Sequence, residues 1–553
     1  MKKNSRAYLK ELEKRDLSQE LKCVNALQRT PWRINKNVVN VIRTVWDSGQ
    51  EWAGLPPRDD LALPHYPFDV EPSDLNVAQK QDFAEWRKRR NSIHSFNNKS
   101  RSKRIQIERT IQLAEDYQQF DEFFFVWQLD FRGRKYPVES FMSPQVADWG
   151  KACIEFSRGA TINNDEEAEW LAIHGANNFG EDKISLKDRE LWAYMQEENV
   201  VRTVENPYDF LWWTEADKPF QFLAWCYEWY GYLREGKGFI THLPVAADGS
   251  CNGLQILSSI LRDTEGGRAV NLIDCDLPAD IYRDVAEATE AKVRLDAAKG
   301  NEMAKKCLEF GIDRKLTKRS VMIVPYSGTQ HACRQYVEEA IEEKVAKGAH
   351  NPFGDDFFSA SLYLTGHIWS SIDDVIGSAR KVMDYVKDVG SLYSARNMPM
   401  EWITPTNLLV RQVYNDHRTK VIQTLIDGSI VKLNYQQGIE DKISKSKTRS
   451  GASPNFVHSL DASALTMTVN RCVDAGIVDF AMVHDSYGTH SPNMWKMSHL
   501  LREAFVDMFE QNDVLEQLYT YTKERLKTDE VPAPPGKGTL DIRNVLKSKY
   551  FFA

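Results

Sequence analysis

What this chain lacks narrows it first. None of its apolar runs approaches the roughly 20 residues that a membrane-spanning helix needs. Its start, Met1-Lys-Lys-Asn-Ser-Arg6, is basic but leads into charged, helix-forming sequence instead of the apolar core of a signal peptide. We therefore expect an intracellular protein without a targeting segment. The 8 cysteines lie far apart and form no Cys-x-x-Cys, so they are read as reduced and structural, with no zinc site. Internal repeats are absent. Positive charge is in short supply too: 71 Lys and Arg face 79 Asp and Glu, a net charge of −8. That balance argues mildly against a nucleic-acid binder, because phosphate contacts need cations. Net charge says little about a local groove, however, since a basic strip can sit on an acidic body.

Such a strip is present. Between Trp86 and Arg109, nine Lys or Arg face one Glu, and the segment is either a solvated helix face or one wall of a groove. At 553 residues the chain exceeds one ordinary core, so several subdomains or two to three domains are expected. Residues 1 to about 50 read as helical, with Leu9, Leu12, Leu21 and Val24 at helical spacings. Prolines from Pro56 to Pro72 mark a surface connector. Phe123-Phe-Phe-Val-Trp127 reads as a buried strand, and residues 165 to 235 as a Trp-rich helical scaffold carrying no chemistry. Strand-like alternation spans 401 to 435, with Asp427-Gly428 as a hairpin turn. A Lys/Ser-rich loop, Lys442 to Ser450, precedes a helix start at Ser453-Pro-Asn-Phe-Val-His458.

Three stretches carry chemistry. Val245-Ala-Ala-Asp248-Gly249 is a short apolar run ending in turn residues, a buried strand that delivers a carboxylate to a sheet rim. Asp479-Phe-Ala-Met-Val-His484-Asp485-Ser-Tyr-Gly488 has the same form. Residues 313 to 326 carry helix start and stop signals, with Pro325 disturbing the last turn. On that helix Lys318 lies roughly 40° round from Arg314 and Tyr326 about 120° round, one broad cationic and aromatic face. Two strand-end carboxylates sharing hard cations, beside cations that grip a polyphosphate, point to metal-dependent phosphoryl transfer. Each element also has a plainer reading. A strand-end Asp serves as a turn or cap residue, an Arg/Lys pair at i, i+4 as solvated surface, and His458 or His484 as a satisfied core histidine.

Taken together the stretches narrow the choice. Asp248-Gly-Ser-Cys-Asn-Gly253-Leu-Gln resembles motif A of the single-subunit, bacteriophage-type RNA polymerases, a family that includes mitochondrial and chloroplast enzymes. Arg314-Lys-Leu-Thr-Lys318 through Tyr326 looks like motif B, and Val483-His484-Asp485-Ser-Tyr-Gly488-Thr looks like motif C. Asp130-Phe-Arg132-Gly-Arg134, Ile173-His-Gly-Ala-Asn177, Gly267-Arg-Ala-Val-Asn-Leu272, Pro454-Asn-Phe-Val-His458-Ser and the terminal Tyr550-Phe-Phe-Ala553 match in family order, from about Thr30 to the end.

The resemblance implies a mainly helical α+β, right-hand architecture of palm, fingers and thumb around a template cleft. Residues 1–121 would be a residual N-terminal segment and thumb-like helices. The palm would occupy 122–264, with a helical insertion at 160–240, and resume at 459–553 with a C-terminal foot. The fingers would occupy 265–458 and include a promoter-reading hairpin at 401–435. Asp248 and Asp485 would hold two Mg²⁺ with the Gly249 carbonyl, and Lys318 would join them as a catalytic group. Arg314 and Lys318 would grip the triphosphate, and Tyr326 and His458 would read the ribose 2′-hydroxyl. Arg132, Arg134 and His484 would touch nucleic acid. The implied partners are template DNA, RNA product and rNTPs, and the implied setting is the cytoplasm of an infected bacterium, with no membrane.

Two departures stand out. Ser327 follows Tyr326 where the family has Gly, and most of the family's N-terminal domain has no counterpart. The expectation drawn is a split or factor-assisted polymerase, with a separate N-terminal polypeptide or recruiting factor. The rivals are a primer-dependent DNA polymerase and a degenerate DNA-binding subunit. The run after Asp248, with no bulky glutamate to close off a 2′-hydroxyl, favours ribonucleotides.

Overall fold

The computed structural model describes residues 3–426 and 429–553. Helices dominate, and short antiparallel strands are set between them, so the class is mainly helical α+β. None of the helices among the described residues is long and apolar enough to cross a membrane. One apolar core runs from Cys23 to Phe552. Its densest part is aromatic: Trp170, Trp213, Trp225 and Trp229 are buried, and the last two stack at 5.7 Å. Gly175 is required there, because a Cβ would sit 2.1 Å from the Trp225 ring.

Three antiparallel strands position the chemistry. Val245–Asp248 lies at one edge, Ser486–Thr489 in the middle and Ala481–Val483 at the other edge. Ser486 is the register partner of Asp248, and Thr489 of Val245. Val245 and Ala247 face the core while Asp248 stands exposed at the strand end, the alternation that a half-buried strand imposes. Behind them the Asn252–Leu261 helix is buried on every side. The C-terminal residues close the back: Tyr550, Phe551 and Phe552 are buried, and Ala553 N donates to Asp248 O at 3.3 Å.

The basic strip lies on a 41-residue helix, Val77–Tyr117, opened by a reciprocal Asn76–Gln79 capping box. Most of its cations are exposed, while Arg101 and Arg104 grip Asp60.

Several local expectations are corrected. Phe123 to Trp127 is extended but not a wholly buried strand. Phe123, Phe125 and Trp127 point inward, Phe124 and Val126 point outward, and the strand proper is Trp127–Leu129. The alternating stretch is two hairpins. Met400–Ile403 with Leu409–Gln412 is packed into the core, and Asn415–Ile426 with Ser429–Ile443 is long and exposed. The turn expected at Asp427-Gly428 lies outside the described residues. The Lys/Ser-rich segment is not a loop either, for one helix runs Lys445–Asp474 with Pro454 inside it. Proline removes one helical hydrogen bond, but Thr448, Ala452, Asn455 and Phe456 are buried on both sides of it, and that packing carries the helix through.

Candidate active site

Asp248 and Asp485 come together by strand pairing. Gly249 N donates to Asp485 O at 3.0 Å, one step beyond the Asp248–Ser486 register pair, so the two aspartates occupy neighbouring strand ends. Gly249 must be glycine: a Cβ there would meet the Phe552 ring at 2.9 Å, so the C-terminal aromatics set the backbone that follows Asp248. Asp485 follows His484 in a two-residue turn, and His484 takes the left-handed φ of 52°.

Their carboxyls are unlike. Burial, with repulsion from Asp461 and Asp248, pushes Asp485 up to about 6. Loss of water to the cleft walls acts in the same direction on the more exposed Asp248, but Lys218, the Ser486 hydroxyl and Lys151 outweigh it and hold that carboxyl below the usual range. Lys218 Nζ stands 3.4 Å from Asp248 Oδ2.

Both aspartates line a cleft of about 570 Å³ that several cations also line. Arg314 and Lys318 enter it from the Arg314–Ile323 helix, whose start Asp313 caps by accepting from Leu316 N. Arg314 is held by Asp280 Oδ2 at 2.6 Å over the Tyr282 ring. Asp280 is itself placed by the loop that Asn271 ties down through both amide atoms to Ala279. Burial, with repulsion from Arg314, pushes the Lys318 ammonium down.

A second cluster lies outside the cleft lining, around buried Asp461. Arg134 Nε and Nη2 reach its Oδ2 at 2.9 and 2.5 Å, and Asn252 Nδ2 reaches Oδ1 at 2.8 Å. Tyr326 and His458 face each other with ring centroids 4.7 Å apart. Arg132, paired with Asp130, donates from Nη1 to His458 Nδ1 at 2.8 Å, so the ring proton sits on Nε2. Burial, then Arg134 and Arg132, lowers His458 to about 2. His484 packs edge-on to Tyr136 at 4.8 Å, and burial with the same arginines lowers it to about 3. Both histidines are therefore neutral. Arg132 and Arg134, expected at nucleic acid, are turned onto protein partners.

The chain thus places Asp248, Gly249, Asp485, Arg314 and Lys318 in one cleft, and Tyr326, His458, His484, Arg132 and Arg134 in an adjoining cluster. Asp485 lies within electrostatic reach of Asp461, the centre of that cluster. The segment read as mere scaffold supplies more of the wall: Lys183 and Lys218 line the cleft. His174 beneath it accepts from Ala246 N at 3.4 Å. Asp461 was missed as well. A cation at a helix start, as Lys218 is before Pro219, was the available signal, because helix dipoles disfavour it.

Paired strand-end carboxylates and an Arg/Lys helix thus line one cleft. The chain belongs to the DNA-dependent RNA polymerase family, whose pattern matches residues 162–533. It is 32% identical to the DNA-directed RNA polymerase of Enterobacteria phage K11, over 96% of this chain and 62% of that protein. It is 31% identical to T7 RNA polymerase of Escherichia phage T7, over 96% and 64%. With the mitochondrial DNA-directed RNA polymerase 1 of Nicotiana sylvestris the identity is 32%, over 100% and 54%. The chain thus spans between about half and two thirds of the length of these relatives.

Proposed function

We propose that the chain is a DNA-directed RNA polymerase that joins ribonucleotides to an RNA 3′ end on a DNA template. The observation that carries this is the pairing that seats Asp248 and Asp485 at neighbouring strand ends, on one cleft with Arg314 and Lys318.

The donor set suits magnesium. Among the described residues no cluster of three or more His, Cys, Asp or Glu is placed to hold a metal. Mg²⁺ is commonly held by one or two carboxylates, with water and substrate phosphates filling the shell. The crowding that raises Asp485 is what divalent charge relieves. Asp248, Asp485 and the Gly249 carbonyl would hold it; that carbonyl accepts from Cys251 N at 3.0 Å and keeps a second lone pair. When bound, two such ions supply activation of the 3′-hydroxyl and neutralisation of charge on the triphosphate.

The chain's own residues do the rest. Arg314, fixed by Asp280, and Lys318 bind the triphosphate, and the depressed Lys318 ammonium gives up a proton readily toward pyrophosphate. Tyr326 and His458 take the ribose side, with His458 Nε2–H free to donate to a 2′-hydroxyl. The residues after Asp248 are small, and a Cβ at Gly253 would already stand 3.1 Å from Tyr326 Oη. That favours ribose over the DNA-polymerase reading. Arg132 holds the His458 ring for the 2′-hydroxyl contact, and Arg134 holds Asp461 behind it. In this scheme the sheet and its helices are the palm, the Arg314–Ile323 region belongs to the fingers and the 41-residue helix to the thumb. The long hairpin reads DNA, and initiation on duplex DNA is factor-assisted.

Extension of an RNA primer on a DNA template, with rNTPs and dNTPs supplied separately, tests this. Incorporation of rNTPs that Asp485→Asn abolishes supports it; preference for dNTPs, or binding without incorporation, sinks it. The same assay on promoter-bearing duplex DNA, with and without host extract, tests the factor.

A further inference from the structure

The Pro219–Glu235 helix begins with a cation in the wrong place. Lys218 is its N-cap, where the helix dipole and the free N–H groups favour negative charge. The first free N–H groups, on Phe220 and Gln221, go to the Asp148 carboxylate at 2.8 and 3.1 Å, so the helix end is satisfied without Lys218. The lysine backbone is tied down, with Lys218 N donating to Asn178 O at 3.0 Å. Its side chain remains 43% exposed and lies along the cleft, Nζ at 3.4 Å from Asp248 Oδ2. It is therefore placed for the cleft.

Two features fix what it does there. Asp248 is a carboxylate to which divalent charge would come, and an ammonium at that distance holds the same oxygen. Lys218 also shares the cleft with Lys183 and Lys318, and its neighbour Asp217 is within electrostatic reach of Lys318. A lysine carries a compact charge on a flexible four-carbon stem, so it can change partners without moving the backbone.

We propose that Lys218 is a displaceable counter-ion: it neutralises Asp248 while no divalent cation is held there, and turns to the phosphates of the incoming nucleotide when one is. A divalent cation at Asp248 would repel the ammonium, and phosphates held by the other cations of the same cleft would offer it a new partner. The inference rests on the polymerase reading of the same cleft, and makes Lys218 a positioning residue that links metal loading to nucleotide grip.

Two binding measurements on the full chain, neither needing turnover, test it. Free Mn²⁺ counted by electron paramagnetic resonance without nucleotide gives metal affinity. Equilibrium dialysis of ATP at saturating Ca²⁺ gives nucleotide affinity. Removing a half-exposed cation beside the ligand, in Lys218→Gln, is expected to tighten Mn²⁺ about three- to tenfold and to weaken ATP by about the same factor. Lys218→Arg, which keeps the charge, is expected to stay within about twofold of wild type in both. A Lys218→Gln chain that binds Mn²⁺ no tighter, or ATP no more weakly, overturns the proposal while leaving the metal site standing. If Asp248→Asn leaves Mn²⁺ binding unchanged, the metal site itself falls, and the counter-ion with it.

Discussion

Arg134 holds Asp461 by two hydrogen bonds, and this pair joins the Asp130–Arg134 turn to the middle of the Lys445–Asp474 helix. The Asp461 side chain is 2% exposed and that of Arg134 13%. Burial pushes the Asp461 carboxyl up despite the arginine. Removing one partner of a buried ion pair leaves an uncompensated charge. Arg134→Met is accordingly expected to destabilise the protein by about 3 kcal/mol, seen as a lower urea midpoint. Adding Asp461→Asn should recover part of the loss, because the amide carries no charge. Equal destabilisation of the single and double variants would remove the pair from the account.

Ser327 takes a left-handed φ of 59°, a conformation that suits glycine, and its buried hydroxyl has no partner among the described residues. It caps the turn after Tyr326: Ser327 N donates to Val324 O at 3.1 Å and Gly328 N to Ile323 O at 2.8 Å. Gly328 is fixed for another reason, since a Cβ would lie 2.5 Å from the Ile323 side chain. The order Ser-Gly thus strains the first position and crowds the second. Ser327→Gly should stabilise by about 1 kcal/mol, and Gly328→Ala should destabilise by more. A chemical-denaturation series in which Ser327→Gly is neutral or worse would show that no strain is held there.

How far the site was legible follows from where each signal sits. Asp248 and Asp485 could be read because an apolar run ending in turn residues is a local pattern. Arg314 and Lys318 could be read because a capped helix puts i and i+4 on one face. Lys183 and Asp461 could not, and Lys218 offered only its place before Pro219 at a helix start. Lys183 pairs with the adjacent Asp182 like any surface charge, Lys218 meets its partner in distant Asp248, and Asp461 in a helix looks like any solvated acid until the fold buries it. The Lys445–Asp474 helix was hidden by Pro454 and by a Lys/Ser-rich start, both overridden by packing.

Metal-free stability should depend on pH through Asp485. Its carboxyl is raised from 3.8 to about 6, so between those values the folded chain holds a proton that the unfolded chain has lost. Stability from this group therefore falls as pH rises through that window, and above it the full penalty is present. Asp485→Asn removes the penalty: the variant should melt higher than wild type at pH 7.5 in EDTA, and the gap should close toward pH 4. The same substitution abolishes nucleotide incorporation in the proposed scheme, so stability and activity move in opposite directions. A variant that melts lower at pH 7.5 would mean the aspartate is not crowded.

The basic helix offers a choice between solvated surface and nucleic-acid wall, and salt decides it. Lys88, Lys99 and Lys103 are all exposed. On a helix they fall within about 60° of one another along about 22 Å, a stripe that can follow a phosphate backbone. Each phosphate neutralised by a lysine contributes about 0.9 to the slope of log affinity against log salt. Replacing all three with Gln should therefore lower the slope for a primed DNA template by about 2 to 3, and weaken binding at low salt regardless of sequence. The fold is unaffected by such a change, because these side chains cover no core. An unchanged slope would mean the stripe faces only water, and template binding would then have to come from the cleft and the long hairpin alone.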